Sequence, residues 1–189
     1  MTHERGKPTL LLQACCAPCT THPYRLLSEQ YLVTVLFYNP NIHPAAEYQK
    51  RLAEIERFSK RWNFSLFTGS YDDERWFQLT AGLEKEPEGG RRCLVCYRMR
   101  MGETARLAVK RGFDCFTTAL SVSPHKNAEA INRIGAELAA EFGIPFVSAD
   151  FKKKDGFKIS CRISREENFY RQDYCGCMYS RRDKEQKER

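Results

Sequence analysis

The chain has 189 residues, 42% apolar and 12% aromatic, and its Lys plus Arg outnumber Asp plus Glu by 31 to 24, a formal charge of +7. These values exclude a disordered polyelectrolyte and allow one core of ordinary size with at most a small appendage. No apolar run approaches the roughly 20 residues of a membrane-spanning helix, and the first apolar stretch is too short for a signal peptide, so a cytoplasmic protein with no membrane partner is expected.

The first element in chain order is TLLLQA (9–14), a near-continuous apolar run that reads as a strand buried on both faces. It runs straight into CCAPC (15–19), three thiols where a turn built from Gly, Asn or Asp would be usual. YLVTVLFYN (31–39) is a second strand of the same kind, followed by a helix over 43–62 with Pro44 in its first turn and Leu52, Ile55, Phe58 and Trp62 on one face. FSLFTG (64–69) is a shorter strand, and EKEPEGGRR (84–92) is a loose stretch. A helix over about 94–111 stops at Gly112, and FDCFTTAL (113–120) is the next strand. Ser123-Pro124 opens a helix carrying Ile131, Ile134 and Leu138 that stops at Gly143, and IPFVSAD (144–150) is a last strand. Ser164 to Glu167 matches a capping box, which predicts a short helix to about Gln172, and the polar tail 181–189 is expected to fray.

No internal repeat or long linker interrupts this order, so one domain over 1–189 is expected. It divides into a core sheet over about 8–150, a C-terminal segment over 151–180 and the tail 181–189. Strands alternating with helices predict an α/β fold, a Rossmann-like parallel sheet with helices on both faces. Ligands of such sheets gather at the carboxyl ends of the strands, where strand order reverses. The first cysteine cluster stands at one of those ends.

The chain carries nine cysteines. Clustered thiols in a reducing compartment point to metal binding or redox chemistry rather than to disulfide scaffolding. Cys93 and Cys96 are spaced to chelate one metal centre from a loop leading into a helix. Arg91, Arg92 and the helix N-terminus are expected to favour their thiolates. A pair at 15–16 or 16–19 would complete a four-thiolate site. Spacing alone leaves iron–sulfur, structural zinc and metal-free thiol chemistry all open. Cys175 and Cys177 flank Gly176, whose freedom would let the two sulfurs meet in a readily reduced disulfide; separate thiols or extra metal ligands are the alternative. Cys115 and Cys161 are assigned no role.

Basic residues recur at 91–92, 98–100, 110–111, 152–154 and 181–182. Any one cluster reads as solvated surface, while the whole chain suits a polyanionic partner such as RNA.

Five stretches in series, CCAPC (15–19), FYNPNIHPAAEYQKR (37–51), RCLVCYRMRMGETA (92–105), GFDCFTTALSVSPHKN (112–127) and YRQDYCGCMYS (170–180), span almost the whole chain. In that order they resemble the epoxyqueuosine reductases of the QueH type. The resemblance implies an adenine-nucleotide α-hydrolase-like fold whose pyrophosphate loop is replaced by cysteines, and therefore no ATP chemistry. It implies two-electron reduction of the epoxide of epoxyqueuosine in tRNA to queuosine, supplied by an external electron donor and independent of cobalamin. By the same resemblance Cys15, Cys16, Cys93 and Cys96 would ligate a 4Fe-4S cluster. Cys19 would serve an additional mononuclear iron, and Cys175 and Cys177 would be a redox-active pair beside the cluster. His43, Tyr48, Asp72 and His125 are the candidate proton donors, each following a predicted strand. Asn39 and Asn41 are expected to order the turn after the second strand. The competing readings are a zinc-stabilised RNA-binding module without turnover and an ATP-dependent tRNA-thiolating enzyme, the latter disfavoured by the missing pyrophosphate loop.

Overall fold

Four parallel strands build the sheet of the computed structural model, which describes residues 6–188. They are β1 (Thr9–Ala14), β2 (Leu32–Phe37), β3 (Ser65–Thr68) and β4 (Cys115–Thr118), in the order β3-β2-β1-β4. Thr9 to Ala14 pair in register with Leu32 to Phe37, and Leu10 to Gln13 pair with Cys115 to Thr118. With a neighbour on each side, β1 is central and its run Leu10-Leu11-Leu12 is fully buried. Each such leucine contributes about 1.5–3 kcal/mol through removal from water.

Alternation along the strands divides the core between two faces. Leu10, Leu12 and Ala14, with Val35 and Phe37, pack on Ala17 and Leu27 of α1 (Ala17–Ser28) and on Ile55 and Phe58 of α2 (Ala45–Trp62). Leu11, Leu36 and Phe116 pack on the opposite face. There they meet Met101, Ala105 and Ala108 of α4 (Arg91–Arg111), and Ile131, Ile134 and Leu138 of α5 (Ala128–Phe142). The remaining helices are α3 (Asp73–Thr80), α6 (Gly156–Glu166) and α7 (Met178–Lys187). The chain leaves β1 for β2 on one side and returns to β4 on the other, so the reversal of strand order falls between β1 and β4.

Several boundaries differ from the sequence reading. The segment 144–150 makes a single bridge, Phe116 to Phe146, and no strand. Pro145 has no N–H to donate, and Thr117 Oγ1 takes the Val147 carbonyl at 2.6 Å. The Ser164–Glu167 pattern ends a helix instead of opening one: Ser164 Oγ bonds back to the Ser160 carbonyl, and Asn168 stops the chain at φ 52°. The start of α5 is capped by Asn127, whose side chain accepts from the Ala130 N–H; a 3-10 turn over Ala119–Val122 precedes it. The polar tail, expected to fray, is helical to Lys187 as part of α7 (Met178–Lys187), capped by the Cys177 sulfur. Two helices, α1 and α3, lacked a legible signal, α1 because Pro18 and Pro23 break its pattern. The first five residues of the N-terminal reading and the last residue of the tail lie outside the described residues.

Candidate active site at the carboxyl end of the sheet

The sulfur cluster begins where β1 ends. Cys16 is extended and caps α1, with Pro18 in the first turn, so the chain turns sharply and gathers its thiols. Cys15 Sγ and Cys16 Sγ are 3.8 Å apart, and the sulfurs of Cys15, Cys16 and Cys19 lie within 4.8 Å of one another. Among the described residues this is the one group of three or more potential metal ligands at such range. Cys15 is held well below the ordinary thiol range by hydrogen bonds from Cys16 and Cys19, helped by Lys126 and Arg100 against the effect of burial. Burial and Cys15 push Cys16 up to about 12, and Cys19 is raised by its hydrogen bonds to the other two. Gln172 Nε2 donates to Cys16 Sγ at 3.0 Å.

The second pair stands on the first turns of α4. Gly89 N–H donates to Cys93 Sγ at 3.2 Å, and Cys96 is buried with Cys177 and Trp76. Burial pushes Cys93 up to about 12 and also raises Cys96. The expected thiolate-favouring role of the two arginines does not hold. Arg91 pairs with Glu86 at 2.8 Å, and the buried Arg92 gives its Nη1 to the carbonyls of Leu83, Glu84 and Glu86. Cys93 and Cys96 stand outside the close trio; Cys96 packs with Cys177, and charge on Cys175 and Cys177 bears on Cys93. Arg100 and Lys126 link the groups: Arg100 feels Cys96, Cys15 and Cys175, and Lys126 feels Cys175, Cys15 and Cys19.

Cys175 and Cys177 are free thiols. Gly176 has φ 132°, open to glycine alone, and an added Cβ would meet Ile42 at 3.1 Å and Arg51 Nη1 at 3.2 Å. Arg51 holds this segment. It is buried, pairs through Nε with Glu47 at 2.7 Å, and gives Nη1 to the Cys175 carbonyl at 3.1 Å and Nη2 to the Tyr174 carbonyl at 3.4 Å. The Tyr174 hydroxyl donates to the His43 carbonyl at 2.7 Å, and His43 N–H donates to the Gly176 carbonyl at 2.8 Å.

Beneath the sulfurs lies a buried polar network. Thr118 Oγ1 donates to Gln13 Oε1 at 2.8 Å, and Asn39 Nδ2 donates to the Ala14 carbonyl at 2.9 Å. Asn39 Oδ1 accepts from Arg100 Nη2 at 2.7 Å. Asn39 thus braces the end of β1 and holds Arg100, beyond the turn-ordering expected of it. Above lies a cavity of about 1040 Å³ whose lining includes Cys15, Cys19, His125, Lys126, Ser160 and Cys175. Its rim carries Lys85, Arg171, Arg182 and Lys184 alongside Glu88, Asp173 and Asp183. Burial disfavours the charge on Lys126, but Cys175, Cys15 and Cys19 outweigh it and raise its pKa.

Of the four candidate proton donors, His125 lines the cavity and the others do not. His43 is stacked on Phe77 at 4.7 Å and faces Trp76, and burial lowers its pKa. The Tyr48 hydroxyl points to the Gly69 carbonyl at 3.5 Å, and Asp72 precedes α3. Cys115 is buried in β4, and Cys161 faces the cavity from α6. Arg92 and Arg100, expected on solvated surface from their basic clusters, are buried, and nothing in the sequence analysis gives Arg51, Lys126 or Gln172 a role. The one available signal was a cation, Lys126, just after the strand that flanks the cysteine-bearing one.

The profile of the family described as Epoxyqueuosine reductase QueH matches residues 10–183. The epoxyqueuosine reductase QueH of Streptococcus pyogenes serotype M1 is 38% identical over 183 residues, covering 94% of this chain and 72% of that protein. Those of Dehalococcoides mccartyi (38% over 175 residues, 92% of each chain) and Thermotoga maritima (32% over 183 residues, 95% of this chain and 93% of that one) match nearly end to end. Among solved structures, the U34-tRNA thiolase NcsA of Methanococcus maripaludis, described with its 4Fe-4S cluster, superposes with a TM-score of 0.55 at 10% identity, over 96% of this chain and 65% of that one. A predicted tRNA methyltransferase subunit of Methanocaldococcus jannaschii also gives 0.55 at 10% identity, over 83% and 76%. These likenesses to solved structures show the fold, a parallel α/β sheet, which here carries cysteines at the loop after β1.

Proposed function

This chain belongs to the QueH family of epoxyqueuosine reductases, and from that premise we propose that it removes the epoxide oxygen of epoxyqueuosine in tRNA by two-electron reduction, using an iron–sulfur cluster and no cobalamin. The observation that carries the reading is the gathering of buried thiols around the β1/β4 reversal, beneath a cavity whose wall includes Cys15, Cys19 and Cys175. The donor set suits the group. All the donors are soft sulfur, no carboxylate stands among them, and buried cations face them.

Cys15, Cys16, Cys93 and Cys96 would hold the cluster. Cys19, inside the close trio, is within reach of the same centre or of a further iron. When bound, the cluster supplies electrons singly from an external donor. The epoxide consumes two electrons and two protons, leaving an alkene and water. Oxidation of Cys175 and Cys177 to a disulfide releases the same count, so the pair fits the role of an electron reserve. Gly176 and Arg51 set the backbone of that pair. His125, on the cavity wall, is positioned to give a proton to the departing oxygen. The modified base must leave the anticodon stack to enter the cavity, and Lys85, Arg171, Arg182 and Lys184 on the rim suit its flanking phosphates. These basic groups, with the family membership, support a cytoplasmic tRNA-modifying role. No helix of the described residues is long and apolar enough to cross a membrane.

The test is anaerobic purification followed by counts of iron, sulfide and zinc per chain. About four irons with matching sulfide, and a visible band bleached by dithionite, are expected. Zinc without sulfide would overturn the reading in favour of a zinc-stabilised RNA-binding module. In the same assay Cys93→Ala should lose most of its iron. Equal loss in Cys19→Ser and full retention in Cys93→Ala would reassign the ligand set to the close trio.

A further inference from the structure

Three cationic side chains are buried among the thiols: Arg51 and Arg100 at 1% exposure and Lys126 at 9%. Burying a cation without an anionic partner costs several kcal/mol. Arg51 is answered by Glu47. Among the described residues, neither Arg100 nor Lys126 has a carboxylate in ion-pair range. Arg100 Nη2 donates to the neutral amide of Asn39, and its Nε has no partner among the described residues. Lys126 has another cation beside its backbone, since its carbonyl accepts from Lys152 Nζ at 3.2 Å. Lys126 shares the cavity wall with Cys15, Cys19 and Cys175, and Tyr97 also acts on it; Arg100 stands one turn beyond Cys96 on α4, where Cys96, Cys15 and Cys175 act on it. Sulfurs offset two buried charges only where they are ionised, as they are when they hold metal.

We propose that Arg100 and Lys126 are the built-in counter-charge of an anionic metal–thiolate centre, Arg100 from one turn beyond Cys96 on α4 and Lys126 from the loop after β4, and that they favour both its retention and its reduced state. This inference rests on the iron–sulfur reading above. A cluster held by thiolates carries net negative charge, and reduction adds one more. A fixed cation in a low-dielectric surround therefore stabilises the reduced form more than the oxidised one. The same cation is unfavourable when no anionic centre is present, so its removal has opposite effects on the empty and the loaded protein. A residue that merely fills space would shift both in the same direction.

The experiment compares wild type, Lys126→Met and Lys126→Arg, each purified anaerobically, by dithionite titration of the visible band and by unfolding of the metal-free form. Lys126→Met should lower the midpoint potential, shifting the oxidised-to-reduced ratio at fixed potential about tenfold, or ~59 mV for one electron. It should release iron faster to a chelator, while the metal-free form unfolds at an equal or higher temperature. Lys126→Arg should restore the wild-type potential. Arg100→Lys, which keeps the charge where Arg100→Met risks the fold, should hold its potential close to wild type. An unchanged potential in iron-loaded Lys126→Met overturns the inference and leaves the iron–sulfur reading standing. So does a loss of metal-free stability that Lys126→Arg does not repair. Wild type without an iron–sulfur band overturns both.

Discussion

Arg51 is expected to govern how firmly the Cys175–Cys177 segment is held, and Arg51→Met isolates that role while keeping the length of the side chain. The substitution removes a buried pair with Glu47 at 2.7 Å and two charge-assisted bonds, to the Cys175 carbonyl at 3.1 Å and the Tyr174 carbonyl at 3.4 Å. Breaking a buried pair costs about 3–5 kcal/mol globally, softened here because the Tyr170 hydroxyl still donates to Glu47 at 3.0 Å. The two carbonyl bonds bear on the segment itself. At about 1.5 kcal/mol each they total roughly 3 kcal/mol, equivalent to about a hundredfold in the local opening equilibrium. Pulsed alkylation of the metal-free protein, read by mass spectrometry, measures this directly. Cys115 in β4 serves as an internal reporter of global unfolding, because it is buried in the sheet and distant from the segment in sequence. Alkylation of Cys175 should rise about a hundredfold beyond any rise at Cys115. An equal rise at both positions would show that Arg51 contributes only to global stability and would refute the proposed hold on the segment.

Two further predictions concern the frame around the site. An alanine Cβ at Gly156, the first residue of α6, would stand 1.8 Å from the Phe151 carbonyl oxygen, an obstacle made of backbone. Gly156→Ala should therefore cost about 1–3 kcal/mol and lower the melting temperature by roughly 4–10 °C; an unchanged melting temperature would refute the tight entry to α6. At Glu54, burial pushes the carboxyl up, but hydrogen bonds from Arg57 and the Tyr170 N–H hold it below its ordinary value. Because the folded-state pKa is the lower one, this stability is present above the unfolded value and is lost as pH falls through the folded one. Glu54→Gln should flatten the acid limb of the stability–pH curve, and an identical limb in both proteins would contradict the assignment.

Much of the architecture was legible along the chain because it rests on local patterns. The continuous apolar runs at 9–14 and 31–39 read as strands, and β1 and β2 are adjacent at the sheet centre, β1 buried from Leu10 onward and β2 only from Val35 onward. Gly112 and Gly143 stop α4 and α5 at φ 70° and 66°, a conformation that sequence alone makes readable. The cysteine spacings likewise marked the site. Where local pattern and tertiary bonding competed, the pattern failed: the segment 144–150 looked like a strand but Pro145 cannot extend the ladder, and the cap-like Ser164 turned its hydroxyl back onto Ser160.

What the sequence by itself determined was a parallel α/β sheet with sulfur at the end of its first strand, because periodicity and residue type are properties of neighbours along the chain. The tertiary structure decided how the thiols are grouped and which charges face them. Cys15, Cys16 and Cys19 close into a trio through the turn into α1, while Cys96 of α4 packs with Cys177. Arg51, Arg100 and Lys126 come from three separate elements. Their significance arises from burial beside sulfur and from the lack, among the described residues, of a carboxylate opposite Arg100 and Lys126, and neither can be read until the elements have packed.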